Sequence, residues 1–374
     1  MAVEKLDRLC TMDEQKSDEE SINGFVMIRK LGGGSHARCY LMSNEEGHLV
    51  VHKRVPVSHM LPADQEVAER EVNILASLSH PFIIRYYRAF VEQGQLCIAM
   101  EYASGGDLSQ RLDQMRNSGQ RADLSQSLDW FAQLLHALRY VHRYRVVHRD
   151  LALKNIFLSE EGVIKLGDFG VARVLESSEL ASTQVGTPCN VAPERCEGKA
   201  YSFESDIWAL GCVLYELVTL RPAFQADTMP GLIDKIIAGA YAEIRESDDV
   251  PSEVPSPYPR QLQSRNGSSC DPTSPCPTLI TSQVVALVEA LFNVDPVKRP
   301  SISDLLQLPI LSTHVQRHQA ADQEAAGTGQ VQQVEIPLVG YEGASKTKFS
   351  ERPIFVEGGV RIVDETAATP HDEK

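Results

Sequence analysis

A small set of polar residues stands out by type and spacing. Asp150 closes His148-Arg149-Asp150 and is followed by Leu151-Ala152-Leu153-Lys154-Asn155. Asp168 opens Asp168-Phe169-Gly170, eighteen residues after Asp150, and Glu194 of Ala192-Pro193-Glu194 follows twenty-six residues after Asp168. Upstream, Lys53 sits in the apolar run Val50-Val51-His52-Lys53, and Glu71 interrupts the helical stripe Val67, Ile74, Leu75, Leu78. A lysine inside an apolar strand, or a carboxylate on a core-facing stripe, needs a partner or a ligand if it points inward. Taken alone, Lys53 or Glu71 reads better as a rim charge, and each tripeptide is close to noise. Their order and spacing together are not.

The chemistry that needs these residue types is phosphoryl transfer, which asks for positioning and charge neutralisation rather than covalent work. Asn155 and Asp168 supply an amide and an acid for a divalent ion beside the phosphates, Mg2+ by expectation with Mn2+ as an alternative. Asp150 accepts the proton of an attacking hydroxyl. Lys53 holds the phosphates that are not transferred, and Glu71 fixes Lys53. The stretch Leu31-Gly32-Gly33-Gly34-Ser35-His36-Ala37 lies between two predicted strands, so backbone N–H groups around Leu31, Gly32, Gly34 and Ser35 can approach phosphate oxygens. A strand rather than a helix follows, which argues against a dinucleotide fingerprint, and no Gly-Lys-Ser/Thr follows, which excludes a Walker loop.

The elements that must hold these residues fall into two groups. Strands are predicted at 25–31, 38–42 and 48–55, a helix at 64–79, and two further β-rich runs at 82–90 and 95–102. From 103 the chain turns mostly helical. Leu128, Phe131, Leu134, Leu135, Leu138 and Val141 share one helix face. Short strands follow at 156–158 and 163–166, then helices at 205–220, 231–239, 281–292 and 302–307. Residues 1–22 read as a polar, mobile leader. Residues 246–278, rich in Pro, Ser and Asp, read as a loop insertion. Residues 313–374 show no sustained period and read as a disordered tail or one that folds on a partner.

Bulk properties narrow the class. The 374 residues are 43% hydrophobic, enough for a sizeable core, and the net charge of −15 argues against nucleic acid as a partner. The N-terminus does not read as a signal peptide, and the longest apolar stretch, 208–220, is too short to span a bilayer, so no membrane partner is expected. Eight cysteines are scattered without a C-x-x-C pair, which suits a reducing cytoplasm. Coiled-coil heptads are not evident, and the oligomeric state stays open.

Over roughly 23–312 the sequence resembles the eukaryotic protein kinases. Over 25–244 it looks most like the NIMA-related serine/threonine kinases, through Arg70-Glu71-Val72 with His80-Pro81, Glu101-Tyr102 with Gly105-Gly106-Asp107-Leu108, Asn155-Ile156-Phe157-Leu158 and Val185-Gly186-Thr187-Pro188. The resemblance implies an α+β, two-lobed fold: a small β-rich N-lobe with one main helix over about 23–102, and a larger, mostly helical C-lobe over about 103–312. It implies ATP in the cleft, with Met100 as gatekeeper, Glu101, Tyr102 and Ala103 as the adenine-binding hinge, and Asp107 near the ribose. It further implies a Glu194–Arg299 ion pair and an Asp206 that steadies the catalytic loop. Protein substrates with Ser or Thr hydroxyls follow. So does control at Thr183, phosphorylated by an upstream kinase or by the chain itself, with Arg149 receiving the phosphate. Cytoskeletal association is family analogy alone.

The sequence departs from the family pattern at three places. Ala37 stands for the third loop glycine, with His36 for the usual aromatic tip. Ala152 stands where serine/threonine kinases carry lysine, while Lys154 occupies the place where tyrosine kinases tend to carry arginine. Lys154 is therefore the expected cation near the transferring phosphate. Thr187-Pro188-Cys189-Asn190-Val191 lacks the usual aromatic. The first two departures leave a pseudokinase scaffold, acting through the cleft and the tail, as the alternative.

Overall fold

The computed structural model describes residues 21–22, 24–33, 37–58, 78–120, 123–169, 189–244, 282–327, 354–356 and 359–361. The predicted helix at 64–79, the 246–278 insertion and residues Gly34, Ser35, Glu71 and Thr183 lie wholly or almost wholly outside them.

The N-terminal part is an antiparallel sheet of β1 (Ser21–Ile22), β2 (Phe25–Gly33), β3 (Arg38–Ser43), β4 (Leu49–Pro56), β5 (Tyr86–Glu92) and β6 (Gln95–Glu101), in the order β1-β2-β3-β4-β6-β5. The pairing of Ser21–Ile22 with Phe25 and Val26 places the end of the expected leader in the sheet. Strand β4 is paired on both sides, with β3 and with β6, and its Val51 is buried, as are Leu41 of β3 and Leu96 and Ile98 of β6. This central position brings Lys53 to a fixed height, opposite Cys39 on one side and Ile98 on the other.

The C-terminal part is helical: α1 (Leu108–Asn117), α2 (Leu124–Arg143), α3 (Pro193–Cys196), α4 (Phe203–Thr219), α5 (Met229–Ile237), α6 (Ser282–Leu291), α7 (Ile302–Leu305) and α8 (Ser312–Gly327). The predicted apolar face of α2 is buried throughout. Its start is set by Asp123, whose carboxylate accepts from Ser125 N at 2.9 Å. Helix α4 is the apolar stretch read as a buried helix. Trp208 stacks on Phe224 with centroids 5.4 Å apart and meets Phe292 at 5.1 Å. Between α2 and α3 the two-stranded ladder β7 (Ile156–Leu158) and β8 (Ile164–Leu166) carries the chain towards Asp168. Ile83 bridges Leu166, so β8 is tied to the segment that leads into β5.

Part of the tail expected to be disordered over 313–374 is regular: α8 packs along α2, and β9 (Ile354–Val356) pairs with β10 (Gly359–Arg361) as a backbone hairpin, while the rest of that tail lies outside the described residues. Helix α8 lacks an apolar stripe because it is held by polar contacts to a buried carboxylate, a pattern hydrophobic periodicity does not reveal.

Candidate active site

Lys53 is only 7% exposed and its ammonium forms an ion pair with Asp168. Burial acts to raise the Asp168 carboxyl, but the charge and hydrogen bond of Lys53 outweigh it and hold that carboxyl below its ordinary range. Asp168 sits at φ 55, in the left-handed region that few non-glycine residues adopt. Its N–H donates to the Tyr86 hydroxyl at 3.1 Å. Phe169 lies between the rings of Tyr86 at 6.0 Å and His148 at 4.7 Å, and His148 Nε2 meets Gly167 O at 3.1 Å. Sequence reasoning missed Tyr86, whose place in an apolar strand gave no sign of a polar duty.

The loop carrying Asp150 is held from below. The buried Asp206 of α4 accepts from His148 N at 2.9 Å and Arg149 N at 3.2 Å, and stands 2.8 Å from His142 Nε2. It fixes Arg149 at φ 69, as strained as Asp168. Asn190 Nδ2 donates to Leu151 O at 3.1 Å and secures the far side.

Asn155 Nδ2 donates to Asp150 O at 2.7 Å and to Asp150 Oδ2 at 2.9 Å. With the amide nitrogen so used, the amide oxygen is the group left to meet a cation. Gly167 N donates to Asn155 O at 2.9 Å, so the backbone that delivers Asp168 is joined to Asn155. Lys154 Nζ stands 3.6 Å from Asp150 Oδ2 and its charge also lowers Asp168. Lys154 thus sits beside both carboxylates.

The roof and the hinge complete the cleft. A Cβ on Gly33 would stand 2.7 Å from Ala37 O, so the loop admits only glycine there. Glu101 directs its side chain away from the hinge backbone: it accepts from Arg85 N at 3.0 Å and pairs with Lys165 at 2.8 Å. Tyr102 and Ala103 follow outside any helix or strand, and the chain is anchored beyond them where Gly105 N donates to Leu158 O at 2.9 Å. A Cβ at Gly105 would fall 2.5 Å from Ser159 O, which makes that glycine obligatory too. Asp107 uses its carboxylate to cap α1, accepting from Gln110 N at 2.8 Å and Gln110 Nε2 at 2.7 Å.

Residues 25–311 match the protein kinase domain. The chain belongs to the protein kinase family. Among curated proteins, this kinase chain is 38% identical over 295 residues to the serine/threonine-protein kinase Nek1 of Mus musculus, covering 78% of this chain and 22% of that protein. It is 40% identical over 259 residues to Nek8 of Danio rerio, covering 69% and 32%. It is 37% identical over 294 residues to the probable serine/threonine-protein kinase nek3 of Dictyostelium discoideum, covering 77% and 23%. The kinase chain therefore spans between about a fifth and a third of these relatives' own lengths. Family membership implies ATP and a divalent ion. The donor set fits both: Lys53 and Lys154 stand beside the carboxylates of Asp168 and Asp150, and Asn155, bonded to Asp150 through its amide nitrogen, keeps its amide oxygen for a cation.

Proposed function

We propose that this chain transfers the γ-phosphate of ATP to serine and threonine hydroxyls of proteins, as a NIMA-related kinase. The observation that carries the reading is the convergence of Lys53, Asp150, Lys154, Asn155 and Asp168 on one cleft. Mg2+, or Mn2+ in its stead, would supply positive charge against the phosphates when bound. Asn155 and Asp168 are the residues to hold it. Lys53 anchors the phosphates that stay behind, and Asp150 takes the hydroxyl proton while Asn155 keeps its carboxylate oriented. Lys154 supplies the cation that Ala152 does not. No observation favours the pseudokinase alternative, since the charged groups the chemistry needs are present. Thr183 is the proposed regulatory phosphosite. A cytoplasmic location is supported by the free thiols of Cys39, Cys97, Cys189, Cys196 and Cys212.

The test is transfer of labelled phosphate from Mg-ATP to a generic protein, followed by phosphoamino acid analysis. Label on serine or threonine that disappears in Asp168→Ala supports the reading. Label on tyrosine overturns the subclass. No transfer by chain phosphorylated at Thr183 overturns the activity.

A further inference from the structure

Helix α8 begins at Ser312, one residue beyond the stretch that matches the protein kinase domain. It converges on Asp129, a residue of α2 that is only 9% exposed. His314 Nδ1 lies 3.2 Å from Asp129 Oδ1 and His318 Nε2 lies 3.1 Å from Oδ2, while the Arg317 guanidinium reaches the same carboxylate. Burial acts to raise Asp129, and the hydrogen bonds of His314 and His318 override it, so the carboxyl stays below its ordinary range. About two turns further along α2, His136 Nε2 stands 3.3 Å from Val315 O.

Two short paths lead from this cluster to β8. Gln133 Nε2 donates to Asp129 Oδ2 at 2.9 Å, and Gln133 Oε1 accepts from Ile164 N at 2.9 Å. The His318 ring meets Phe82 edge-on, with centroids 5.3 Å apart at 90°. Phe82 O accepts from Leu166 N, and Ile84 N donates to Leu166 O, both at 2.8 Å. Both ends of β8 are thus fixed by groups that α8 or its anchor touches. Leu166 is followed by Gly167 and Asp168.

We infer that α8 is a positioning element for Asp168, with Asp129 and His318 as the positioning residues. The inference rests on the kinase reading above, because it concerns the group that holds the metal. Coupling runs through contacts with a definite arrangement: the imidazoles seat α8 on Asp129, Gln133 and Phe82 transmit that seat, and β8 sets the height of Asp168. A purely structural cover would raise thermal stability and leave metal handling in the folded molecules untouched.

The experiment uses the full chain and four forms: wild type, Asp129→Asn, His318→Ala and His318→Phe. For each, KM for Mg-ATP, the Mg2+ concentration for half-maximal rate, kcat and Mg-ATP-induced thermal stabilisation are measured well below the melting temperature. Asp129→Asn and His318→Ala should raise KM and the Mg2+ requirement by about threefold to tenfold, with kcat within about twofold. His318→Phe keeps the ring against Phe82 and should recover at least half of that loss. Unchanged KM and Mg2+ requirement in folded Asp129→Asn and His318→Ala, with only a lower melting temperature, overturns the inference and makes α8 a cover. If Asp129→Asn does not fold, the His318 pair decides by itself. Wild type that shows no Mg-ATP stabilisation overturns the kinase reading itself, an outcome separate from equal behaviour of all four forms.

Discussion

At the scale of single residues, the unusual group is Lys154. Its ammonium is 3.6 Å from Asp150 Oδ2 and well exposed, so the ion pair adds little to stability. Under the proposed function its value would be electrostatic, arising when phosphate charge develops beside it. Lys154→Ala is therefore expected to lower kcat by about tenfold to a hundredfold with little change in KM for ATP. Lys154→Arg should retain most of the rate. Moving the cation in Ala152→Lys with Lys154→Ala should restore part of it, since Ala152 opens the short turn Leu153–Asn155 that contains Lys154. Steady-state kinetics on a peptide substrate separates these outcomes, and an unchanged kcat in Lys154→Ala removes Lys154 from the chemistry.

At the scale of elements, Asp206 joins α4 to the loop that carries Asp150. Two backbone N–H groups and one imidazole converge on a carboxylate that is about 1% exposed. Asp206→Asn would turn an amide N–H towards one of these donors and leave it unsatisfied. Loss of stability of roughly 3 kcal/mol is expected, read from the urea midpoint at constant m-value. Activity should fall further than the folded fraction does, because Arg149 at φ 69 would be free to relax and move Asp150. Most of this arrangement was legible beforehand. The run from His148 to Asn155 and the helices around Phe131 and Trp208 follow from motif spacing and hydrophobic period, as do the strands read at 25–31, 38–42 and 48–55, which the structure places at Phe25–Gly33, Arg38–Ser43 and Leu49–Pro56. Three features were not legible, for one physical reason: each depends on a polar atom meeting a distant partner. Tyr86 reads as a strand core residue until its hydroxyl is found on Asp168 N. The reading of Asp107 as an acid near the ribose gives no sign that its carboxylate also caps α1. The segment after 312 reads as disordered because His314, Arg317 and His318 seat it on Asp129 rather than through an apolar stripe.

At the scale of the whole molecule, the lower half is held together at Glu194 and Arg299. The guanidinium meets the carboxylate twice, at 2.9 and 2.8 Å, and donates to Glu204 O at 2.7 Å and Asn293 O at 2.8 Å. Ser205 Oγ donates to Glu194 Oε1 at 2.8 Å, and Arg299 lies over the Trp208 ring at 5.1 Å. One pair thus links α3, α4 and the turn after α6. Burial pushes the Glu194 carboxyl up, but the Arg299 hydrogen bonds dominate and hold it below its ordinary value. A carboxyl depressed in the folded state binds fewer protons there than in the unfolded chain, so it stabilises above its unfolded value of about 4.3 and loses that effect as pH falls further. Glu194→Gln leaves the Arg299 charge buried without its counter-ion and should cost about 3–5 kcal/mol at neutral pH. The gap between wild type and Glu194→Gln should be flat from pH 8 to pH 5 and narrow below about pH 4, as wild-type Glu194 takes up its proton. Urea denaturation at pH 7, 5 and 3.5 measures the gap directly. A gap that does not narrow would mean that Glu194 acts through its shape and its hydrogen bond from Ser205, and not through its charge.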